Sequence, residues 1–235
     1  MGGLFSYDSK PMQILNFVGD LIILNVLYLL CCIPIFTIGA AQAGLHTGCK
    51  VLLDKEDDNS PAGAFLKGFV SGFLKITAAW GILTVILAVV IYGSVTAYLF
   101  GAPLWTVIPA AVVCAAFHTL APLFHARFDC TIWQLIKNPW FMLFAHPLRT
   151  LLSVAIAWAP VILFFTMDLY DFMSMTPIWM TLFFSTAFCM VHFLMKKPIN
   201  TLIGHYNETH GITPEGETLP EAEKEESEEI EEVIE

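Results

Sequence analysis

Residues 15–38 read LNFVGDLIILNVLYLLCCIPIFTI, with one carboxylate, Asp20, and no Lys or Arg. An α-helix crosses a hydrocarbon core with about 20 predominantly apolar residues, so this stretch is long enough to span a membrane. Four more stretches of the same kind follow, at 76–100, 103–125, 147–167 and 177–195. They are too long for barrel strands and lack the alternation a barrel needs. The predicted fold class is an all-α integral membrane protein, a bundle of five transmembrane helices with amphipathic cytoplasmic helices.

The connections between these stretches differ in charge. Lys10 precedes the first span. The first connection holds Lys50, Lys55, Lys67 and Lys75, and the third holds Arg127, Lys137 and Arg149. The second and fourth hold no Lys or Arg, and Lys196 and Lys197 follow the fifth span. Lys and Arg resist translocation, so basic connections stay in the cytoplasm. Five spans with this alternation place the N-terminus outside and the C-terminus inside.

The formal net charge of −10 is localised in one segment. Residues 215–235 hold eleven Glu and one Lys, and the remaining 214 residues hold ten acidic and ten basic side chains. A neutral transmembrane domain at 1–210 is therefore expected to carry a disordered acidic cytoplasmic tail at 211–235. Such a tail has too little apolar surface to offset its chain entropy. No basic stripe suggests nucleic-acid binding. The six Cys show no CxxC spacing. They read as small buried apolar residues rather than as a zinc site or a disulfide framework. A cleaved signal peptide, N-myristoylation at Gly2 and glycosylation at Asn207 are not expected. The first apolar stretch is too long and lacks a basic leader, the spans already anchor the chain, and the sequon falls on the cytoplasmic side.

Helix signals refine the picture. Pro34 removes a backbone donor and is expected to kink or end the first helix. After Gly39, residues Gln42, His46, Lys50 and Asp54 recur every fourth position, as do Ala40, Gly44 and Gly48. The pattern predicts a helix over 40–54 with a wet face and a flat face, the flat one packing closely against another helix of the same chain. Ser60-Pro61 predicts a helix start, followed by an amphipathic surface helix with Phe65, Phe69, Phe73 and Ile76 on one face. Gly68 and Gly72 suit a packing notch or a bend. Thr131 and Gln134 have capping-box spacing, and the short helix after them is expected to be interrupted at Pro139.

Candidate functional residues are few. His118 and His125 share one face of the third span with Asp129, and intramembrane His and Asp can relay protons or bind metal. HxxxH and HExxH spacings are absent, so hydrogen bonding between helices is the expected role. Asp20, beside Asn16, is an acid near the end of a span, and Asn25 lies in the middle of the same span; a coupling role is open for both. No phosphate loop, dinucleotide fingerprint, nucleophile elbow or kinase motif is present. No enzymatic activity, cofactor or metal is expected.

The run Leu24-Asn25-Val-Leu-Tyr-Leu-Leu, then Ile33-Pro34-Ile-Phe-Thr37-Ile-Gly39-Ala, resembles the N-terminal signature of the YesL-like family of bacterial multi-pass membrane proteins. So does Pro122-Leu-Phe-His-Ala-Arg127-Phe-Asp129, followed by Gln134-Leu-Ile-Lys137-Asn138. The resemblance covers about residues 4–205. It implies a bacterial plasma-membrane protein in a carbohydrate-uptake context, often beside ABC importers, and it implies no reaction. Under it, Asn25, Pro34, Thr37, Gly39, Arg127 and Asp129 read as architectural or coupling residues.

Three functions follow as expectations. The first is a non-enzymatic accessory or regulatory component associated with an ABC importer, contacting importer subunits through its cytoplasmic helices. The alternative is a solute transporter or substrate-binding membrane component, using interrupted helices and buried Asp20, Asn25 and His118. An intramembrane enzyme is the least supported, for want of a motif.

Overall fold

The computed structural model describes residues 10–54, 60–101, 103, 108–128 and 131–210, and no strand occurs among them. The helices are α1 (Lys10–Cys31), α2 (Ile38–Asp54), α3 (Pro61–Val70), α4 (Phe73–Leu99), α5 (Ile108–Arg127), α6 (Ile132–Ala145), α7 (Pro147–Thr166), α8 (Leu169–Ile178) and α9 (Phe184–His210). A 3-10 turn at Ile35–Thr37 precedes α2, and a π-helical turn at Trp179–Phe183 precedes α9. The acidic segment at 211–235 and Asp129 lie outside the described residues.

Among the described residues, α1, α4 and α5 are each long and apolar enough to cross a membrane. The pair α6–α7 also qualifies if counted as one broken span, although its two halves meet at 117°. The helix surfaces suit a lipid solvent. α4 buries Ile76, Ala79 and Leu83, and exposes Ile82, Val85, Ile86 and Val89 on the same rod. A helix apolar all round belongs in a core or a bilayer. These are the helices of a multi-pass membrane protein.

The chain divides into two compact units, Met1–Leu194 and Met195–Glu235. Within the first, helix directions follow from side-chain neighbours. α1 and α2 are antiparallel, because Leu24 lies against Gly48 while Tyr28 stands beside Gln42. α9 runs with α2: the Cys49 and Cys189 sulfurs meet at 2.6 Å, and Asp54 faces His192. α5 also runs with α2, since Arg127 faces Asp54 and Trp80 links Gly39 to His118. α4 opposes α5, with Thr84 at His118 and Gly72 at His125. α7 packs on α5, its Trp158 Nε1–H donating to the Ala115 carbonyl at 3.4 Å. In the second unit, the described residues continue α9 to His210, with Pro198 inside the helix.

Local sequence explains most helix ends. Ser60 caps α3, its hydroxyl accepting from the Gly63 N–H, and Pro61 opens the helix. Thr131 and Gln134 form a complete capping box at the start of α6. Gly68 and Gly72 divide two tasks. A Cβ on Gly68 would collide with Thr47, so Gly68 is a notch for α2. Gly72 has φ +64° and turns the chain between α3 and α4.

Two expectations hold and three change. The first helix ends close to Pro34, with α1 stopping at Cys31, and the chain then reverses. α6 runs through Pro139 to Ala145, so Pro139 does not interrupt it. The stretch at 177–195 is not α-helical throughout, passing through a π-helical turn before α9 begins. The stripe of Gln42, His46, Lys50 and Asp54 is not a wet face throughout: Gln42 and Lys50 are half-buried, His46 is fully buried, and the Asp54 side chain is 4% exposed. The flat face of Ala40, Gly44 and Gly48 packs within the same chain, with Gly44 against Phe65 and Phe69, and Gly48 against Leu24 and Pro61.

Candidate polar site between three helices

The polar face of α2 meets the last turn of α5 and the middle of α9. Arg127 closes α5, where a cation suits the helix's negative end. Its Nη2 donates to His192 Nε2 at 2.7 Å and stands 3.9 Å from Asp54 Oδ2. The same carboxylate oxygen is 3.8 Å from His192 Nε2. Because a guanidinium can only donate, His192 Nε2 accepts, and this geometry selects the neutral imidazole carrying its proton on Nδ1. A buried Arg–Asp pair is held best when further hydrogen bonds share its charge, as His192 does here.

His46 lies two turns before Asp54 on α2, within electrostatic reach of His192 and Arg127. Its ring packs 4.9 Å from Phe188, and neither nitrogen has a hydrogen-bond partner among the described residues. A buried donor left unsatisfied costs about 1–3 kcal/mol. Such groups call for a functional or structural reason.

A second polar contact lies deeper between α1 and α9. Asn25 is fully buried, and its Oδ1 accepts the Ser185 N–H at 2.9 Å. The π-helical turn just before α9 disturbs the regular ladder and offers this N–H to a side chain. Thr37 completes the α1–α2 turn, its hydroxyl lying 2.5 Å from the Cys31 carbonyl and 2.6 Å from that of Pro34.

The other residues singled out in the sequence are dispersed. His118 Nδ1 lies 3.0 Å from the Cys114 carbonyl and Nε2 lies 3.1 Å from the Thr84 hydroxyl, an interhelical bond. His125 Nε2 donates to the Ser71 carbonyl at 2.8 Å, bracing the α3–α4 bend. Gly39 lies against Trp80, where a Cβ would come within 2.5 Å of the indole-bearing carbon. Asp20 is partly exposed on α1 and does not join the Arg127 site. Of the sequence candidates among the described residues, Arg127 alone belongs to that site. Asp54, His46 and His192 were missed as a group. The four-residue repeat on α2 marked two of them, but periodicity identifies a polar face without saying what stands opposite. Among the described residues, no three His, Cys, Asp or Glu side chains stand together as a metal site would require.

No curated protein and no solved structure matches the chain. Residues 21–94 match the model of a family described as a protein of unknown function, DUF624, a region that runs from α1 into α4 and contains the Asn25-to-Gly39 signature.

Proposed function

We propose that this chain is a non-enzymatic accessory or regulatory component of carbohydrate uptake in a bacterial plasma membrane, working beside an ABC importer, as its YesL-like signature implies. The observation that carries the reading is the surface of α6. Its buried side is Leu135, Pro139 and Met142, while Trp133, Trp140, Phe141 and Phe144 are exposed. α6 meets α7 at 117°, so if α7 crosses the bilayer, α6 lies along the interface. Aromatic side chains beside Lys137 suit both the headgroup level and a protein partner. Crosslinking and co-purification from native membranes should recover an importer subunit, and Trp133→Ala with Phe141→Ala should reduce the yield. Recovery of no importer subunit would remove this reading.

The basic connections support a cytoplasmic C-terminal end. A last crossing near 177–195, the fourth if α1 and α2 do not cross, fits the direction of α9, opposite to α1. The expectation of an outward N-terminus assumed a single crossing before α2. The antiparallel pairing of α1 and α2 favours an inward one instead.

A solute-binding role is the second reading, favoured by the buried Asp54–Arg127–His192 group with His46 above it. Purified protein in liposomes should then bind or take up a member of a sugar panel, and His46→Phe should abolish this. A null result across the panel leaves the accessory role.

A further inference from the structure

We infer that α1 and α2 form a re-entrant hairpin that enters the bilayer from the side of Asp54, Arg127 and His192, turns inside the hydrocarbon, and leaves by the same side. The occupant of its exposed tip is lipid acyl chain.

The tip is the first argument. Ile33, Ile35 and Phe36 are 74%, 76% and 63% exposed, with Pro34 among them. A turn at a membrane surface would present polar residues to water, and this one presents none. A turn within hydrocarbon must satisfy its own backbone, since lipid offers no hydrogen bonds. It does so here. The Cys32 N–H donates to Tyr28 and Leu29, Ile33 to Leu30, and Thr37 to Pro34. The N–H of Ile38 reaches Ile35, and the Thr37 hydroxyl covers the carbonyls of Cys31 and Pro34.

Depth is the second argument. Gly39, at the base of the tip, lies against Trp80, the eighth residue of the 27-residue α4. Seven residues of helix rise only about 10 Å. On α5, His118 touches Trp80 and lies nine residues before Arg127, a rise of about 13 Å. Both routes place Gly39, at the base of the turn, within a core about 30 Å thick rather than at its far face.

The polarity of α1 is the third. Lys10, Gln13, Asn16 and Asp20 line its first half at spacings of three and four. The residues α1 buries, Leu21, Leu24, Asn25 and Tyr28, all lie in the half from Leu21 to Cys31, and eleven residues rise about 16 Å, half a crossing. The first half of α1 thus suits the interface, and the second half suits the interior.

The inference requires Lys10 and the α2–α3 connection to share one side of the membrane, whichever side that is. Cysteines added singly at Lys10, Phe36, Ser60 and Gly101 would be probed with a membrane-impermeant maleimide in intact cells and in inverted vesicles, against the parent chain as baseline. Lys10→Cys and Ser60→Cys should react from the same side, and Gly101→Cys from the other. Phe36→Cys should react from neither. Lys10→Cys and Ser60→Cys on opposite sides, or reaction of Phe36→Cys from either side, overturns the hairpin. An inverted orientation would move Lys10→Cys and Ser60→Cys together, so it is told apart from a crossing α1. On the unsubstituted chain, complementation of split-reporter fragments fused at the two termini gives the same answer without altering the fold: both should report from one side, and opposite sides overturn the inference.

Discussion

Arg127 and His192 are sixty-five residues apart in the chain, and the guanidinium of one donates to the imidazole of the other across 2.7 Å. That bond joins α5 to α9, and Asp54 brings α2 to the same point. With side chains 4–6% exposed, Arg127 and Asp54 depend on each other. Arg127→Met should therefore destabilise the protein by about 3–5 kcal/mol, because it takes the guanidinium away from a buried carboxylate. The double variant Arg127→Met with Asp54→Asn should recover much of the loss. Thermal unfolding in detergent reads both, and a purely additive double variant would show that the two side chains are uncoupled.

His46 should behave in the opposite sense. Its ring is buried without a hydrogen-bond partner among the described residues, so His46→Phe should leave stability unchanged or raise it by about 1 kcal/mol. If the site binds a solute, the same variant loses binding, a trade of function for stability. A drop of several kcal/mol would show instead that the imidazole holds α2 to α9.

The Thr37 hydroxyl should matter more than its methyl group. Thr37→Val removes the donor to the Cys31 and Pro34 carbonyls and should cost about 0.6–1.7 kcal/mol, the range of side-chain hydrogen bonds in membrane proteins. Thr37→Ser should stay within about 0.5 kcal/mol of the parent, the range of a substitution that keeps its hydrogen bonds. Equal losses in the two variants would assign the effect to packing.

Glycines on one fold should respond differently according to their surroundings. A Cβ at Gly44 would stand 2.8 Å from the Phe65 carbonyl oxygen, so Gly44→Ala should destabilise by about 1–3 kcal/mol through overpacking. Gly81 and Gly93 sit inside α4 with nothing within 4 Å of that position. Gly81→Ala and Gly93→Ala should each stabilise by about 0.5–1 kcal/mol, through helix propensity alone. Unfolding of the three variants side by side tests this, and a stabilised Gly44→Ala would mean that α3 is not seated on α2.

The sequence by itself determined the solvent and the local punctuation. Long apolar runs specify a membrane whatever their partners, because the cost of polar backbone in lipid depends on composition and length. The Ser60 cap, the Thr131–Gln134 box and the break at Pro34 were legible for a similar reason, since each depends on bonds within a few residues. Tertiary structure alone decided the direction of α2. Pro34 announces an end to α1, but whether the chain then continues outward or folds back depends on Leu24 meeting Gly48 and Asn25 meeting Ser185. It also decided the meaning of the α2 stripe. A repeat of Gln42, His46, Lys50 and Asp54 looks the same toward water or toward Arg127, and only the arrival of α5 and α9 removed the water. Packing partners distant in the chain carry no periodic signal, so the site they build together appears only when the helices are assembled.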